Sequence, residues 1–203
     1  VLKQDYLSLK AKCFEKAKDF DAAYDCFSKM NSLAKRSNTY LRCDPENYFQ
    51  TVSGELTKLK SKTIPTPADH TIEKKDFNPV FLVGFPRSGT TLLDTILRSH
   101  SKIDVVEEQP TLASAKTFIQ KSGYTDIVHK VLPPELLAEA EKAYKVEFNK
   151  YIEGVNSGSV YIDKLPLNLL DAPLIQQLYP QAKFILALRH PMDTILSCWM
   201  QNF

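Results

Sequence analysis

Residues 84–91, with the sequence Gly-Phe-Pro-Arg-Ser-Gly-Thr-Thr, combine two glycines, one arginine and three hydroxyl side chains. Their glycine spacing is that of the phosphate-binding loop G-x-x-x-x-G-K-[ST], but Thr90 stands in the place of the lysine. A glycine turn that leads into a helix can point backbone N–H groups and the positive end of the helix dipole at an anion. Arg87 adds a planar guanidinium that matches two oxygens of a phosphate or a sulfate. We therefore predict an anion-binding loop made of Arg87, Ser88, Gly89, Thr90 and Thr91.

The elements that position this loop are predicted from short apolar runs that alternate with helical patterns. We expect strands at 80–83, 103–106, 160–162 and 183–188. Helices are expected over about 90–99, 110–121, 134–153 and 167–179, and a last helix is expected to open at Pro191. Apolar strands separated by helices indicate an α/β fold of the P-loop type, a parallel sheet flanked by helices in three layers. In such a sheet, ligands bind at the carboxyl ends of the strands.

A small all-α segment is predicted ahead of this fold, over residues 1–60. Its apolar side chains recur at helical spacing in two stripes, which are separated by a break at Lys18 and Asp19. The stripes consist of Leu7, Ala11 and Phe14, and of Phe20, Ala23, Phe27 and Met30. This spacing is similar to that of one tetratricopeptide repeat, although an ordinary helical hairpin is the alternative.

The predicted domain organisation has three parts. They are the tetratricopeptide-like segment 1–60, a polar, proline-containing linker at 61–77, and an α/β domain at 78–203. Stacked repeats need about three copies to be stable. We therefore expect the repeat to be the last of an array, with a capping helix at 45–59 and a surface for a protein partner.

Composition and charge exclude several classes of function. The chain of 203 residues carries 26 basic and 24 acidic side chains, a net charge of +2 that favours neither nucleic acid nor an anionic membrane as partner. Without a membrane-length apolar run or a signal-peptide pattern, the expected location is the cytoplasm. The four cysteines occur singly, so we predict buried thiols with neither a disulfide framework nor a metal site.

A second motif lies after the strand predicted at 183–188. Arg189 follows that strand directly, and Ser197 comes eight residues later on the helix that opens at Pro191. Together with the loop at 84–91, this motif resembles the sulfotransferases that use 3′-phosphoadenosine-5′-phosphosulfate (PAPS), and most strongly the bacterial-type members with tetratricopeptide repeats. The resemblance implies that the loop holds the 5′-phosphosulfate of PAPS. It also implies that Arg189 and Ser197 hold the 3′-phosphate, and that 3′-phosphoadenosine 5′-phosphate (PAP) is the product.

The same resemblance implies the catalytic groups. Glu108 lies 21 residues after Arg87, the separation found in the protein-tyrosine sulfotransferases, in which the second glutamate of a Glu-Glu pair is the proposed base. Glu107 is the alternative base, and repulsion between the adjacent carboxylates is expected to raise the proton affinity of one of them. Lys164 matches the family lysine that contacts the bridging oxygen of the donor. Arg87 would stabilise the transition state, with a hydroxyl acceptor (alcohol, phenol or protein tyrosine) and no metal.

Two other functions are compatible with these motifs. A P-loop kinase would use Thr91 and Asp163 to hold Mg²⁺, although it would lack the loop lysine. An interaction protein would use the helical segment and keep an inert sulfotransferase remnant. The chain ends 14 residues after Arg189, whereas family members continue, so we expect an incomplete catalytic domain with poor turnover.

Overall fold

The structure is a computed structural model that describes residues 2–61, 77–125, 130–152 and 159–201. It contains two compact units, one formed by Val1–Thr57 with His190–Phe203 and the other by Lys58–Arg189. The predicted linker at 61–77 falls almost wholly outside the described residues. The domain boundaries given by the sequence therefore remain predictions.

The first unit begins with two packed helices, α1 (Leu2–Lys16) and α2 (Phe20–Ala34). The predicted break between them is present: Lys18 has φ +62°, a left-handed conformation at the position where the tetratricopeptide pattern has glycine. Asp19 caps α2, because its Oδ1 accepts a hydrogen bond of 3.1 Å from the backbone N–H of Ala22. The sequence therefore encodes the hairpin locally, through its caps as well as its stripes.

The core of the first unit is small. Its buried side chains are Ala11, Ala23, Cys26, Phe27 and Met30. The stripe prediction was wrong for Phe20, the first residue of α2, which is 65% exposed. The prediction of buried thiols holds for Cys26 alone, since Cys13 and Cys43 are exposed and Cys198 is half-buried.

Further helices described in this unit are α3 (Asn38–Leu41), most of α4 (Pro45–Ser61) and α9 (Pro191–Trp199). Trp199 of α9 stacks on Tyr24 with 5.0 Å between ring centroids, and its carbonyl accepts a 2.9 Å hydrogen bond from the Asn31 side chain. These contacts join α9 to α2. The end of the chain therefore packs on helices from its beginning.

The second unit is built on a four-stranded sheet. Its strands are β1 (Val80–Gly84), β2 (Ile103–Glu107), β3 (Val160–Lys164) and β4 (Lys183–Ala187), in the order β2-β3-β1-β4. All three strand pairs are parallel, which confirms the predicted α/β class. The helices of this unit are α5 (Thr90–Leu97), α6 (Thr111–Lys121), α7 (Pro134–Phe148), a 3₁₀ helix (Pro166–Asp171) and α8 (Ala172–Leu178). Each of them lies within one or two turns of its predicted position.

An aromatic core fills the sheet face that carries Phe81. Phe77, Phe81, Tyr144, Phe148 and Tyr179 are all buried there, with ring centroids 5.3–6.4 Å apart. Burying such large side chains is the main favourable contribution to folding. In the described part of the chain, no helix is long and apolar enough to cross a membrane.

Gly84 ends β1 at a point of close approach. A Cβ atom at this position would lie 2.8 Å from the carbonyl oxygen of Ala187 on β4 and 2.8 Å from Ser88 Oγ. The backbone atom cannot move without disturbing the sheet. Glycine is therefore required where β1 meets the loop.

Replacing Gly84 by alanine should destabilise the protein by about 1–3 kcal/mol, because the new methyl group overlaps the backbone of β4. Gly54→Ala is the matched control. Gly54 lies within α4, and a Cβ atom added there would meet no atom within 4 Å, so alanine should add roughly 0.5–1 kcal/mol of stability. Urea unfolding followed by circular dichroism measures both changes, and equal effects at the two sites would contradict the packing argument.

Candidate active site

The carboxyl edge of the sheet brings together residues that are far apart in the sequence. The parallel register pairs Glu107, the last residue of β2, with Lys164, the last residue of β3. On the other side of β3, Leu82 of β1 pairs with Lys164, two residues before the loop begins. The three chain segments predicted to carry chemistry therefore leave the sheet at neighbouring points.

The loop between β1 and α5 has the conformation of an anion cradle. Arg87 has φ +69° and Gly89 has φ +101°, and left-handed residues next to right-handed ones turn successive N–H groups toward one side. Gly89 is the N-cap residue of α5 and supplies no side chain to cap the N–H groups of the first turn. Ser88 Oγ is buried and has no hydrogen-bond partner among the described residues. These groups are the donors that a bound anion would satisfy.

Lys164 is the centre of the site. Its side chain is fully buried, and its Nζ donates to Glu108 Oε1 at 2.7 Å, Glu107 Oε1 at 3.2 Å and Thr91 Oγ1 at 3.3 Å. An ammonium group has three N–H donors, so all of them are used. A buried charge is tolerated only when it is paired and hydrogen-bonded, and the two glutamates meet that condition.

The backbone of Glu108 is hydrogen-bonded to Lys164, and its carboxylate is accessible to solvent. Its N–H donates to the Lys164 carbonyl at 2.7 Å, and its φ of +50° turns the chain away from the sheet. The side chain is 56% exposed, against 39% for Glu107. Of the two adjacent carboxylates, Glu108 is therefore the more open to an incoming molecule.

Glu107 lies between two cations, which was not anticipated from the sequence. Its Oε2 accepts a 2.8 Å hydrogen bond from Arg98 Nη2, and its Oε1 accepts from Lys164. The hydrogen bond from Arg98, followed by that from Lys164, holds the pKa of Glu107 below its usual value. The rise in proton affinity expected for one of the adjacent carboxylates does not occur at Glu107, because these cations outweigh the raising effect of burial on its pKa.

Arg98 and Asp94 are the residues of this site that sequence reasoning missed. Asp94 is completely buried on α5 and accepts two hydrogen bonds from Arg98, one of them from Nε at 2.8 Å. The carboxylates of Asp94 and Glu107 raise the pKa of the Arg98 guanidinium. The available signal was the spacing of four residues between an acid and a base on a predicted helix.

Asp163 lies on the opposite face of the sheet from Lys164, because successive side chains of a strand alternate. It is buried, and its carboxylate accepts hydrogen bonds from Thr111 Oγ1 at 2.6 Å, Tyr144 Oη at 2.8 Å and Asn168 Nδ2 at 3.4 Å. Burial raises the pKa of Asp163 to about 6, against the lowering effect of the Thr111 and Tyr144 hydroxyls. It is thus a polar link between β3 and the helices on that face.

The second predicted motif is divided between the two compact units. Arg189 follows β4, is exposed, and donates from Nη1 to the carbonyl of Arg87 at 3.1 Å, which joins it to the anion loop. Ser197 lies on α9, which belongs to the other compact unit, so its pairing with Arg189 remains a prediction. Thr90, in the place of the loop lysine, is buried at the start of α5. No group of three potential metal-ligating side chains occurs within residues 2–61, 77–125, 130–152 and 159–201.

Comparisons with known proteins identify the family of the chain. Residues 79–203 match the sequence pattern of the sulfotransferase family. An uncharacterized protein of Aquifex aeolicus is 30% identical over 202 residues, which cover 95% of this chain and 25% of the relative. Protein-tyrosine sulfotransferase 1 of Homo sapiens is 29% identical over 153 residues, which cover 73% of this chain and 40% of the relative.

A further relative is the nodulation protein NoeE of Sinorhizobium fredii. It is 28% identical over 134 residues, which cover 58% of this chain and 31% of that protein. The chain thus spans between a quarter and two fifths of the length of these three relatives.

The buried carboxyl group of Asp163 should make stability depend on pH. Because its folded-state pKa is raised to about 6 from 3.8, the folded protein binds the proton more tightly than the unfolded chain. Relative to Asp163→Asn, the wild type should therefore gain stability as the pH falls from about 6 to about 4, by up to about 3 kcal/mol. Urea unfolding of both proteins across this pH range measures the difference, and a difference that does not change with pH would refute the assignment.

Proposed function

The chain belongs to the sulfotransferase family, and from that premise we propose that it transfers a sulfuryl group from PAPS to a hydroxyl acceptor. The observation that carries this proposal is the position of the Lys164 ammonium, 2.7 Å from Glu108 and 3.3 Å from Thr91. A cation is thereby placed between a solvent-accessible carboxylate and an anion cradle. Transfer of a sulfuryl group requires a base on one side and positive charge on the other.

The loop fits the phosphosulfate end of the donor. Ser88 Oγ is a buried hydroxyl without a partner in the described parts of the chain, and Gly89, the N-cap of α5, supplies no side chain to cap the helix N–H groups. Because residue 84 is glycine, no Cβ atom crowds the Ser88 hydroxyl. PAPS would supply the transferable sulfuryl group there, while Arg87, Ser88, Gly89, Thr90 and Thr91 would bind its phosphosulfate oxygens.

Lys164 would stabilise the negative charge that develops on the bridging oxygen. Its three N–H donors are already engaged, so it must exchange one of them to reach a donor oxygen. The contact with Thr91 is the longest of the three and involves a neutral acceptor, whereas the other two involve carboxylates. We therefore infer that Lys164 leaves Thr91, whose hydroxyl then becomes available to the donor.

Glu108 would accept the proton of the acceptor hydroxyl. Its carboxylate is more exposed than that of Glu107. Lys164 bonds Oε1 of Glu108, which leaves Oε2 for the acceptor. Glu107 is the poorer candidate because two cations lower its pKa and occupy both of its oxygens. A weak base that is already fully hydrogen-bonded would gain little from taking up a proton.

Recognition of the 3′-phosphate and of the acceptor completes the proposal. Arg189, at the end of β4 and bonded to the Arg87 carbonyl, would bind the 3′-phosphate together with Ser197. A phenol is the favoured acceptor, since relatives in Homo sapiens and Caenorhabditis briggsae are named as protein-tyrosine sulfotransferases. The tetratricopeptide-like helices would present a surface to a protein partner.

The kinase alternative is weakened by the position of Asp163. That reaction would need its carboxylate at the nucleotide phosphates, next to a Mg²⁺ ion. Asp163 instead lies on the opposite face of the sheet from Lys164 and accepts three hydrogen bonds from neighbouring helices.

Two substitutions test the proposed roles in the complete protein, with labelled PAPS and a panel of phenols, alcohols and tyrosine peptides. Glu108→Gln should lower kcat by about 10²-fold or more because the base is lost. It should leave the affinity for the product PAP, which is 3′,5′-ADP, unchanged. Arg87→Ala should lower kcat and should also weaken the affinity for 3′,5′-ADP, since in this proposal the guanidinium contacts the donor in the ground state.

The matched control is Glu139→Gln, an exposed glutamate of α7 that pairs only with its helix neighbour Lys142 among the contacts described. It should leave both quantities unchanged. The proposal fails if the wild type labels no hydroxyl acceptor, or if Glu108→Gln keeps the wild-type rate. Magnesium-dependent binding of ATP in place of 3′,5′-ADP would favour the kinase.

A further inference from the structure

We propose that Arg98, anchored by the buried Asp94, is a positioning residue that holds Glu107 in place and through it the Lys164 ammonium. The inference rests on the proposed function, because Lys164 is the group on which that function depends. Neither Arg98 nor Asp94 belongs to the sequence motifs of the site. Their role follows from three consecutive contacts that link α5, β2 and β3.

The first contact fixes the guanidinium. Asp94 is fully buried on α5, and both of its carboxylate oxygens accept hydrogen bonds from Arg98, one turn later on the same helix. A planar fork that meets a carboxylate in two places has little rotational freedom left. The direction of the remaining Arg98 donors is therefore set by α5.

The second and third contacts transmit that direction to Lys164. Arg98 Nη2 donates to Glu107 Oε2 at 2.8 Å, and Glu107 Oε1 accepts from Lys164 Nζ at 3.2 Å. One glutamate thus bridges an arginine on the helix that follows the anion loop and a lysine at the end of β3. Movement of Arg98 would release one end of this bridge and leave the Glu107 carboxylate without the guanidinium that fixes it against Lys164.

The two adjacent glutamates, Glu107 and Glu108, have different roles in this arrangement. Glu107 is surrounded by Arg98 and Lys164, with Glu108 and Asp94 as the nearby acidic groups, and its pKa is lowered mainly by Arg98. It serves as a fixed counter-charge. Glu108 touches Lys164 and is more exposed, so it is the one that can exchange a proton with the acceptor.

Removing Arg98 should therefore affect turnover more than donor binding. In the complete protein, Arg98→Met should lower kcat by about 10-fold to 10²-fold, because a small displacement of a catalytic group is costly, while the KM for PAPS changes little. Arg98→Lys should recover only part of the rate, since an ammonium lacks the planar fork that meets Asp94 through two nitrogens and so does not hold its position as firmly. Protonation of Glu107 would weaken its contact with Lys164, and Glu107 loses the main cause of its lowered pKa in Arg98→Met. The acidic limb of the kcat profile should therefore move to higher pH.

A double-mutant cycle separates this role from simple stabilisation. Glu107→Gln should lower kcat on its own, and adding Arg98→Met to it should cause much less loss than Arg98→Met causes in the wild type, because the bridge is already broken. Lys116→Met is the matched control. This substitution removes a 2.7 Å ion pair between Lys116 and Asp171, which lies in the same unit but includes neither Glu107 nor Lys164. It should leave kcat and the pH profile of kcat unchanged.

The outcomes distinguish this inference from the proposed function. Sulfuryl transfer by the wild type together with an unchanged kcat and pH profile in Arg98→Met would overturn the positioning role alone. Fully additive losses in the cycle would do the same. Absence of transfer by the wild type to every acceptor would overturn the proposed function, and the positioning role with it.

Discussion

The site depends on one electrostatic constraint, the burial of the Lys164 ammonium at the end of β3. A buried cation must be compensated, and here two glutamates and a threonine hydroxyl take up all three of its N–H donors. These hydrogen bonds fix Glu108, the end of β2 and the start of α5 relative to each other. A group with catalytic potential is thus held in place by the same contacts that make its burial tolerable.

The parallel sheet explains why these contacts are possible. The ends of β1, β2 and β3 lie side by side, so a loop, a pair of glutamates and a lysine that are distant in the chain meet at one edge. Side-chain alternation then sends Lys164 to one face and Asp163 to the other. Asp163 connects the strand to the helices with three hydrogen bonds, which leaves Lys164 as the charged group of β3 at the loop face.

Much of the fold could be predicted from the sequence, because apolar runs and helical stripes report burial directly. The loop, Glu108 and Lys164 could be placed at strand ends for the same reason. The Arg98 bridge could not, since its partner Glu107 is nine residues away and only the register of β2 against β3 brings Lys164 to it. The exposure of Phe20 was not predicted, because a stripe gives the face of a helix but not how much of its length is covered. The helix expected at 167–179 is divided into a 3₁₀ helix and α8 next to Pro173, which has no backbone N–H to donate to the preceding turn.

A crystal structure of the complete protein with 3′,5′-ADP tests the central claim most directly. The account predicts that the 5′-phosphate binds to the backbone and hydroxyl groups of residues 87–91, and that Lys164 Nζ turns from Thr91 to a 5′-phosphate oxygen while keeping Glu107 and Glu108. A nucleotide whose 5′-phosphate lies away from that loop, or out of reach of Lys164, would contradict it.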